Sequence, residues 1–518
     1  MRGWSREHAV MAAALATGLG AASLAACGGG SGGGGGGATS TTTASGSSSG
    51  STGGTGGAGG SGPLASYTPD GCAFSIAPRP EYLGFSRGSP VVGATPSIRR
   101  VRLGLGGNVD VGAPGRADPS TTIGVAWQTD EGTQSSEITW GTDPDPAKWP
   151  AANRRSGVRW ATPSGTGQFD EHMHEVHVCG LTPATTYYYR VGGGPAGGEA
   201  WSEVQSFATT PAAGPAKITI GIAGDSRGEN GDAWRLFARR MTSLSPTLAL
   251  FSGDMINLAI DQSAWEKWLD SASKDSDDKP LSLGRVLTLY THGNHENHTT
   301  FFYGNLVLPQ DPVKYPKHTE LFYSVDVGPV HIVVIDDMGV VSPTTDPDYA
   351  ALLTEWLDKD LSAANQNRAK VPWIVTMHHH GEFSSSAHGT DKDVLRGRQF
   401  FVPLWDKHHV DVDIAGHDHN YERSKPLSGP LMGADLMPAI KPSPKEGTVY
   451  VICAGAGAPA YSPGTSAFTE VSHGYTTGGA VGLFSVATVD EHSFKIDAFE
   501  LRPDGSDPLF DSFTIQKP

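Results

Sequence analysis

Five apolar stretches of the sequence each run directly into side chains that can bind metal ions or transfer protons. The stretches are predicted β-strands, and the clusters after them are Gly224-Asp225-Ser226-Arg227, Gly253-Asp254-Met255-Ile256-Asn257, Gly293-Asn294-His295-Glu296, His378-His379-His380 and Gly416-His417-Asp418-His419. Aspartate, asparagine and histidine are all competent metal ligands. Four of the clusters begin with glycine, which we interpret as a residue that lets the chain turn sharply off the strand.

The predicted elements bring these distant clusters together. From about residue 215 strands and helices alternate; strands are predicted over 217–223, 247–251, 286–290, 330–335, 373–377 and 410–414, and helices over 232–244 and 349–363. This alternation is typical of an α/β layered core. Because ligands bind at the carboxyl ends of strands in such sheets, we expect the clusters to converge on one pocket.

The region before this core has an all-β pattern, over about residues 97–212. Residues 122–127, 136–140 and 175–179 alternate between apolar and polar side chains, and residues 181–191 resemble the tyrosine-corner strand of fibronectin type III domains. Short alternating strands separated by turns predict a β-sandwich. We interpret His172, His174 and His177 as ordinary strand-surface residues, because His177 points away from the other two.

The N-terminus is a predicted export signal. A basic segment over residues 1–6 and a small-apolar segment over 9–22 precede Leu24-Ala25-Ala26-Cys27, which resembles a bacterial lipobox. This resemblance implies cleavage before Cys27 and lipidation of its thiol; an ordinary signal peptide with a chance cysteine is the alternative. Residues 28–62 contain only Gly, Ser, Thr and Ala, and we expect a disordered tether. The sequence thus predicts an exported bacterial lipoprotein, held in the periplasm or at the cell surface through its lipid anchor alone.

Cysteine use and charge narrow the prediction further. Cys72, in a Pro-rich extension over 63–96, and Cys179 are candidates for a disulfide in an oxidising compartment, whereas Cys453 has the apolar surroundings of a buried thiol. A formal net charge of −16 argues against nucleic-acid binding. After the leader, no stretch approaches the 18 or so consecutive apolar residues of a membrane-spanning helix.

Taken in order, the motifs resemble those of the calcineurin-like metallophosphoesterases, and most closely the purple acid phosphatases. The specific blocks are Gly-Asn-His-Glu at 293–296 and Gly-His-Asp-His-Asn-Tyr-Glu-Arg at 416–423. The resemblance covers roughly residues 97–518 and implies a fibronectin-like domain at 97–212 followed by a catalytic domain at 215–518. It further implies a sandwich of β-sheets flanked by helices, phosphate-ester substrates, and two metal ions of the Fe, Mn or Zn type.

The resemblance also implies a role for each matching residue. Asp225 and His419 would hold the first metal, and Asp254 would bridge both. Asn294, His417 and one residue of the triple histidine would hold the second metal. In the family, the ligand histidine is followed by an aromatic residue four positions later and by a catalytic histidine nine positions later. Phe383 and His388 stand at these distances from His379, which favours His379 as the ligand. A Val-x-x-His pattern instead favours His378. His295 and His388 would contact the phosphate or protonate the leaving oxygen, and Arg227 would meet a phosphate oxygen.

One departure from the family concerns the first metal. Purple acid phosphatases have a tyrosine ligand three residues after the second Asp, and here that position is Asn257. Asn257 is therefore a candidate weak ligand, and we expect a colourless protein with weaker first-site affinity. The alternative function is a non-catalytic surface protein whose degenerate site binds phosphate or a partner.

Overall fold

The structure is a computed structural model that describes residues 64–518, apart from 162–170, 228–230, 276, 278, 343–345 and 476–477. The predicted signal segment, Cys27 and the 28–62 tether lie outside the described residues. Within the described ranges, no helix has both the length and the apolar character needed to cross a membrane.

The N-terminal third of the described chain is built from antiparallel strands. These strands are β1 (Leu83–Arg87), β2 (Arg99–Gly104), β3 (Thr122–Asp130), β4 (Glu137–Gly141), β5 (Arg154–Ser156), β6 (Val158–Ala161), β7 (Glu171–Cys179), β8 (Thr186–Gly193), β9 (Ala200–Trp201) and β10 (Gln205–Ala208). One sheet has the order β1-β6-β7-β3-β2, and the other has the order β10-β8-β4-β5 with β9 added to β8. The predicted all-β region is therefore confirmed.

The two sheets share one hydrophobic core. The same cluster buries Trp127 of β3, Ile138 of β4 and Val191 of β8 completely. The hydroxyl of Tyr187 accepts a hydrogen bond from the backbone N–H of Thr182 at 3.0 Å. This backward contact is the one that defines a tyrosine corner, as the sequence pattern suggested.

Strand β7 departs from the prediction. His174 and His177 are both buried, so assigning them to a strand surface is wrong. His174 faces the second sheet, where its Nδ1 lies 2.9 Å from the Ser136 hydroxyl. His177 lies on the other face, which the N-terminal extension covers: the ring of Phe74 meets it edge-on at 5.2 Å. A strand covered on both faces buries both sets of its side chains.

The N-terminal extension is fixed to this covered face. Cys72 and Cys179 form a disulfide with their Cα atoms 5.3 Å apart. Beside it, Tyr67 and Phe74 pack in a second, smaller core with Trp160. The apolar residues of the extension thus replace solvent on the outer side of the first sheet.

The remaining two thirds of the described chain contain strands and helices in alternation. Its strands are β11 (Ile218–Ala223), β12 (Leu248–Phe251), β13 (Thr288–Tyr290), β14 (Phe322–Val327), β15 (Val330–Ile335), β16 (Trp373–His380), β17 (Val412–Gly416), β18 (Tyr421–Ser424), β19 (Leu427–Met432), β20 (Met437–Ile440), β21 (Val449–Cys453), β22 (Thr469–His473), β23 (Gly482–Val489), β24 (Ser493–Leu501) and β25 (Leu509–Gln516). Its helices are α1 (Gly231–Leu244), α2 (Gln262–Ser273), α3 (Thr300–Asn305), α4 (Met338–Val341), α5 (Tyr349–Gln366) and α6 (Lys392–His408).

These strands form two large sheets and a hairpin. One sheet has the order β13-β12-β11-β23-β24-β25, the other has the order β14-β15-β16-β17-β21-β18-β22, and β19 pairs with β20. Strands β11 to β13 run parallel to one another, and so do β15, β16, β17 and β21. Every residue of β15 and β16 is buried, as expected for parallel strands covered on both sides. The predicted α/β layered fold is confirmed.

The all-β part and the α/β part of the chain pack against each other. The hydroxyl of Tyr189 donates to the carbonyl of Gly284 at 2.7 Å, and the backbone N–H of Leu105 donates to the carbonyl of Val307 at 3.0 Å. A Cβ on Gly104 would lie 2.5 Å from the Val307 Cβ, so this glycine permits the close approach. Core residues of both parts belong to one continuous hydrophobic cluster.

Candidate active site

The strand-end clusters meet where the two large sheets face each other. Asp225 follows β11, Asp254 follows β12 and Asn294 follows β13, all from the first sheet. His379 is the last residue but one of β16, and His417 directly follows β17, both from the second sheet. The parallel strands therefore deliver their polar ends to one place, as expected for sheets of this class.

Three fully buried side chains form the centre of the site. Candidate ligand atoms of Asp225, Asp254 and His379 all lie within 4.8 Å of one another. The Nε2 atom of His379 is 3.4 Å from Asp254 Oδ1 and 3.0 Å from Asn294 Oδ1. The structure thus places His379 beside the carboxylates, whereas His378 lies on the opposite face of β16 against Asp337.

His417 and His419 complete the cluster on two sides. His417 Nδ1 lies 3.2 Å from Asn294 Oδ1, and His419 Nε2 lies 3.6 Å from Asp225 Oδ1. The Nδ1–H of His419 donates to the carbonyl of Pro459 at 2.7 Å. Since that bond fixes the proton on Nδ1, it leaves the lone pair of Nε2 directed at the site.

Buried polar atoms of this cluster lack protein partners. Among the described residues, Asp225 Oδ2, Asp254 Oδ2, His417 Nε2 and His419 Nε2 make no hydrogen bond. Leaving a buried acceptor unsatisfied costs about 1–3 kcal/mol, and more when it is charged. Imidazole nitrogens combined with carboxylate and amide oxygens suit Zn, Fe or Mn. The donor set therefore fits two metal ions.

Burial and neighbouring charges shift the pKa values of the ionisable groups in the site. Burial raises the pKa of Asp225 well above its usual range, against the opposing charge of His379. Burial also opposes ionisation of Asp254, yet the charges of His379 and His295 hold its pKa well below the usual range. Burial lowers the pKa of His419 to about 3, so this imidazole is neutral and able to bind a cation.

The backbone is strained at the donors. Asp225 has φ 57°, Asp254 has φ 54° and His417 has φ 72°, all in the left-handed region that non-glycine residues avoid. The sharp turns therefore occur at the candidate metal ligands themselves. Of the four glycines that begin the clusters, Gly253 alone has a positive φ, at 93°. Our interpretation of the other glycines as turn residues is wrong. A Cβ on Gly416 would lie 2.4 Å from Asp225 Oδ2, so glycine there makes room for the carboxylate.

Glu296 holds one strained turn in place, although sequence reasoning gave it no role. Its carboxylate accepts hydrogen bonds from the backbone N–H groups of Gly293 at 2.8 Å, Asp254 at 2.9 Å and Met255 at 2.8 Å. Burial, and next the charge of Asp254, raise the pKa of Glu296 to about 7. Its place in the Gly-Asn-His-Glu block was the only signal for this function.

A loop over residues 454–461 was missed altogether. Its backbone N–H groups donate to the carbonyls of Gly224, Asp225 and His419, through Ala456, Ala458 and Tyr461. The ring of Tyr461 stacks on His419 with centroids 4.2 Å apart and meets His388 at 5.4 Å. The loop thus holds in place the residues that would bind the first metal, and no motif in its sequence indicates this role.

The predicted substrate-contacting residues surround the cluster. The Nδ1–H of His295 donates to the carbonyl of Asn257 at 2.7 Å, and its Nε2 lies 3.8 Å from Asp254 Oδ2. Arg227 Nε lies 3.7 Å from Asp254 Oδ2, and its Nη1 donates to Asn257 Oδ1 at 3.4 Å. His388 Nδ1 is 2.9 Å from Asp391, and its ring lies 4.6 Å from that of His417.

Comparison with known protein families agrees with this arrangement. Residues 218–421, which contain all the candidate metal ligands named above, match the calcineurin-like phosphoesterase family, and residues 113–209 match the purple acid phosphatase N-terminal domain. Over residues 218–421 the chain is therefore similar to the calcineurin-like phosphoesterases. The predicted resemblance to purple acid phosphatases is confirmed.

Similar proteins come from plants, animals and bacteria. A purple acid phosphatase of Glycine max is 26% identical over 320 residues, which are 59% of this chain and 63% of that protein. Acid phosphatase type 7 of Homo sapiens is 30% identical over 178 residues, covering 32% and 39% of the two chains. An uncharacterised protein of Mycobacterium tuberculosis is 25% identical over 384 residues, covering 65% and 67%.

Solved structures show the same fold. A purple acid phosphatase from yellow lupin seeds superposes with a TM-score of 0.60 at 17% identity, covering 81% of this chain and 74% of that one. PhoD superposes with a TM-score of 0.51 at 14% identity, covering 80% and 90%. Together with the family matches, the relatives support a hydrolase of phosphoric esters with a dinuclear metal centre.

Proposed function

We propose that this chain is an exported, lipid-anchored phosphoesterase that hydrolyses phosphate esters at the cluster around Asp254. The observation that carries the proposal is the convergence of carboxylate, amide and imidazole donors from five strand ends, with several buried donor atoms unpartnered in the described part of the chain. That pattern matches a site built for cations rather than one stabilised by its own hydrogen bonds.

Two metal ions would have distinct donors in this site. Asp225 and His419 would hold the first ion and Asn294, His379 and His417 the second, with Asp254 between them. Bound there, two cations supply Lewis-acid activation of water and offset the charge of a transferring phosphoryl group. Asn257 is a candidate weak donor, but its side-chain oxygen accepts from Arg227 in the structure. We propose that Asn257 orients Arg227.

Three residues would act on the substrate itself. Arg227, next to Asp254, would bind a phosphate oxygen through its guanidinium group. His295 has its Nδ1 proton committed to the Asn257 carbonyl, so its Nε2 is the atom that faces substrate. His388 is oriented by Asp391 and partly exposed at the rim, where protonated Nε2 would donate to the leaving oxygen.

Hydrolysis of an aryl phosphate tests this proposal. Full-length protein loaded with Mn, Fe or Zn should release the phenol, and His295→Ala should lower kcat about 100- to 10,000-fold because an acid–base and phosphate-binding group is lost. His492→Ala, at an exposed histidine near the C-terminus, is the control and should retain full activity. If no mono- or diester is cleaved under any of these metals while phosphate still binds, the non-catalytic alternative holds.

The proposed location rests on two separate features. The segment ending in Cys27 has the order of a lipoprotein signal, and the Cys72–Cys179 disulfide suits an oxidising compartment. Cys27→Ser should move the protein from the membrane fraction into the soluble exported fraction. Retention in the membrane fraction after this change would contradict lipid anchoring at Cys27.

A further inference from the structure

A second polar cluster lies on the opposite face of β16 from the active site. His378 neighbours His379 on the strand, and because side chains alternate along a strand it points the other way. There it meets Glu382 and Asp413, and all three residues are at most 1% exposed. The ring of His378 stacks on Phe401 of α6, with centroids 4.8 Å apart, so the cluster lies between the sheet and that helix.

The distances in this cluster match metal coordination. His378 Nε2 lies 3.2 Å from Glu382 Oε1 and 3.2 Å from Asp413 Oδ2, and one candidate ligand atom of each residue lies within 4.8 Å of those of the other two. Donors bound about 2.1 Å from a tetrahedral cation lie about 3.4 Å apart. Despite these short distances, His378 Nε2 and both carboxylate oxygens of Glu382 lack a hydrogen-bond partner among the described residues. The ring nitrogen is therefore not aligned on either oxygen as a hydrogen-bond donor.

The remaining contacts hold these donors in position. Asp337 Oδ2 lies 3.1 Å from His378 Nδ1, which is the carboxylate–histidine pairing that commonly supports a metal-bound imidazole. The hydroxyl of Thr376 donates to Asp413 Oδ1, which leaves Oδ2 directed at the cluster. His378 and Asp413 thus each have one atom fixed by the protein and another facing the shared space, whereas both carboxylate oxygens of Glu382 are unpartnered among the described residues.

Charge balance also calls for a cation. Glu382 and Asp413 bring two carboxylates to His378, whose imidazolium would offset only one of the two charges, and burying an uncompensated charge is costly. Arg398 is the nearby cation, but its guanidinium donates to backbone carbonyls, among them those of Glu382 at 2.7 Å and Gly389 at 3.0 Å. One divalent ion would neutralise both carboxylates.

We propose that His378, Glu382 and Asp413 bind a third divalent cation, of the Zn²⁺ or Mn²⁺ type, in a closed site separate from the dinuclear centre. The mixture of one imidazole and two carboxylates selects ions of this type. Full burial makes the site structural, because no substrate reaches it. By joining β16 to β17 and to the segment after β16, the ion would fix the strand that carries His379.

Anomalous X-ray scattering tests this site directly. Crystals of the full-length protein grown with Zn²⁺ should show, at the zinc absorption edge, a peak between His378, Glu382 and Asp413. Absence of that peak overturns the proposal, whether or not peaks appear at the dinuclear centre. The measurement needs no variant and no activity, so its failure is distinct from a failure of the proposed function.

Metal content in solution gives an independent test. After dialysis against Zn²⁺ and then buffer, the wild type should carry three ions per chain, whereas Glu382→Gln should carry two, because the amide cannot supply the anionic oxygen. Glu446→Gln, at an exposed glutamate, is the matched control and should carry three. Equal metal content in the wild type and Glu382→Gln overturns the proposal, and the cluster then shares a proton instead of a metal.

Discussion

His331 gives the sharpest prediction about stability. This fully buried histidine of β15 lies between two carboxylates, with Nδ1 2.7 Å from Asp326 Oδ1 and Nε2 2.8 Å from Asp360 Oδ2. Two acceptors require both ring nitrogens to carry protons, so the folded protein favours the imidazolium. Burial alone would lower the pKa of His331, but Asp360 and Asp326 together raise it to about 9.

The direction of the pH effect follows from this raised pKa. Below about pH 6.5 the folded and unfolded states both bind the proton, and the full stabilisation is present. Between about 6.5 and 9 the unfolded state has lost the proton that the folded state keeps, so the free energy of unfolding falls as pH rises. A pKa raised from 6.5 to about 9 corresponds to about 3 kcal/mol at 1.36 kcal/mol per unit.

Urea unfolding of the wild type and His331→Gln at pH 6.0 and pH 9.5 measures this contribution. The difference in unfolding free energy between the two proteins should shrink by about 3 kcal/mol from the lower to the higher pH. Asp326→Asn retains Asp360 as the single charged partner and should reduce the shrinkage. A difference that is the same at both pH values would refute the reasoning, because it would show that His331 is neutral in the folded protein.

Three further predictions concern the site and its support. Gly416→Ala should weaken metal binding about 10- to 100-fold by displacing the Asp225 carboxylate, with Gly198→Ala, which meets no atom closer than 3.4 Å, as the control in isothermal titration. Iron-loaded protein should lack a strong visible charge-transfer band because Asn257 stands where the family has tyrosine; a band abolished by Tyr461→Phe would contradict this. Reducing the Cys72–Cys179 disulfide, which closes a loop with a sequence separation of 107, should lower the free energy of unfolding by about 2–5 kcal/mol in urea, and an unchanged midpoint would argue against it.

Sequence reasoning recovered the parts of the structure that local patterns determine. The apolar runs ending at Ala223 and Phe251 are strands because buried parallel strands need continuous apolar side chains. Their polar ends then meet for a topological reason that holds for α/β sheets in general. Choosing between His378 and His379 was harder, because consecutive residues of a strand face opposite sides and only the family spacing favoured His379.

The features that sequence reasoning missed depend on contacts between distant segments. His177 is buried because Phe74 of the extension covers it, and the Pro-rich extension has no periodic pattern to reveal this. Tyr461 reaches His419 only through the tertiary position of its loop. The strained φ of Asp225 likewise depends on the surrounding hydrogen bonds, since aspartate at the end of a strand is not by itself a sign of a left-handed turn.

The packing of the all-β part against the α/β part has a practical consequence for producing fragments of the protein. A fragment containing only residues 215–518 would expose apolar surface around Val307 and leave the Gly284 carbonyl without the Tyr189 hydroxyl that binds it. Such surface promotes self-association. We therefore expect the excised fragment to be recovered as aggregates and the intact pair of domains to remain dispersed, so truncation at residue 215 is a poor route to an expression clone of the enzyme.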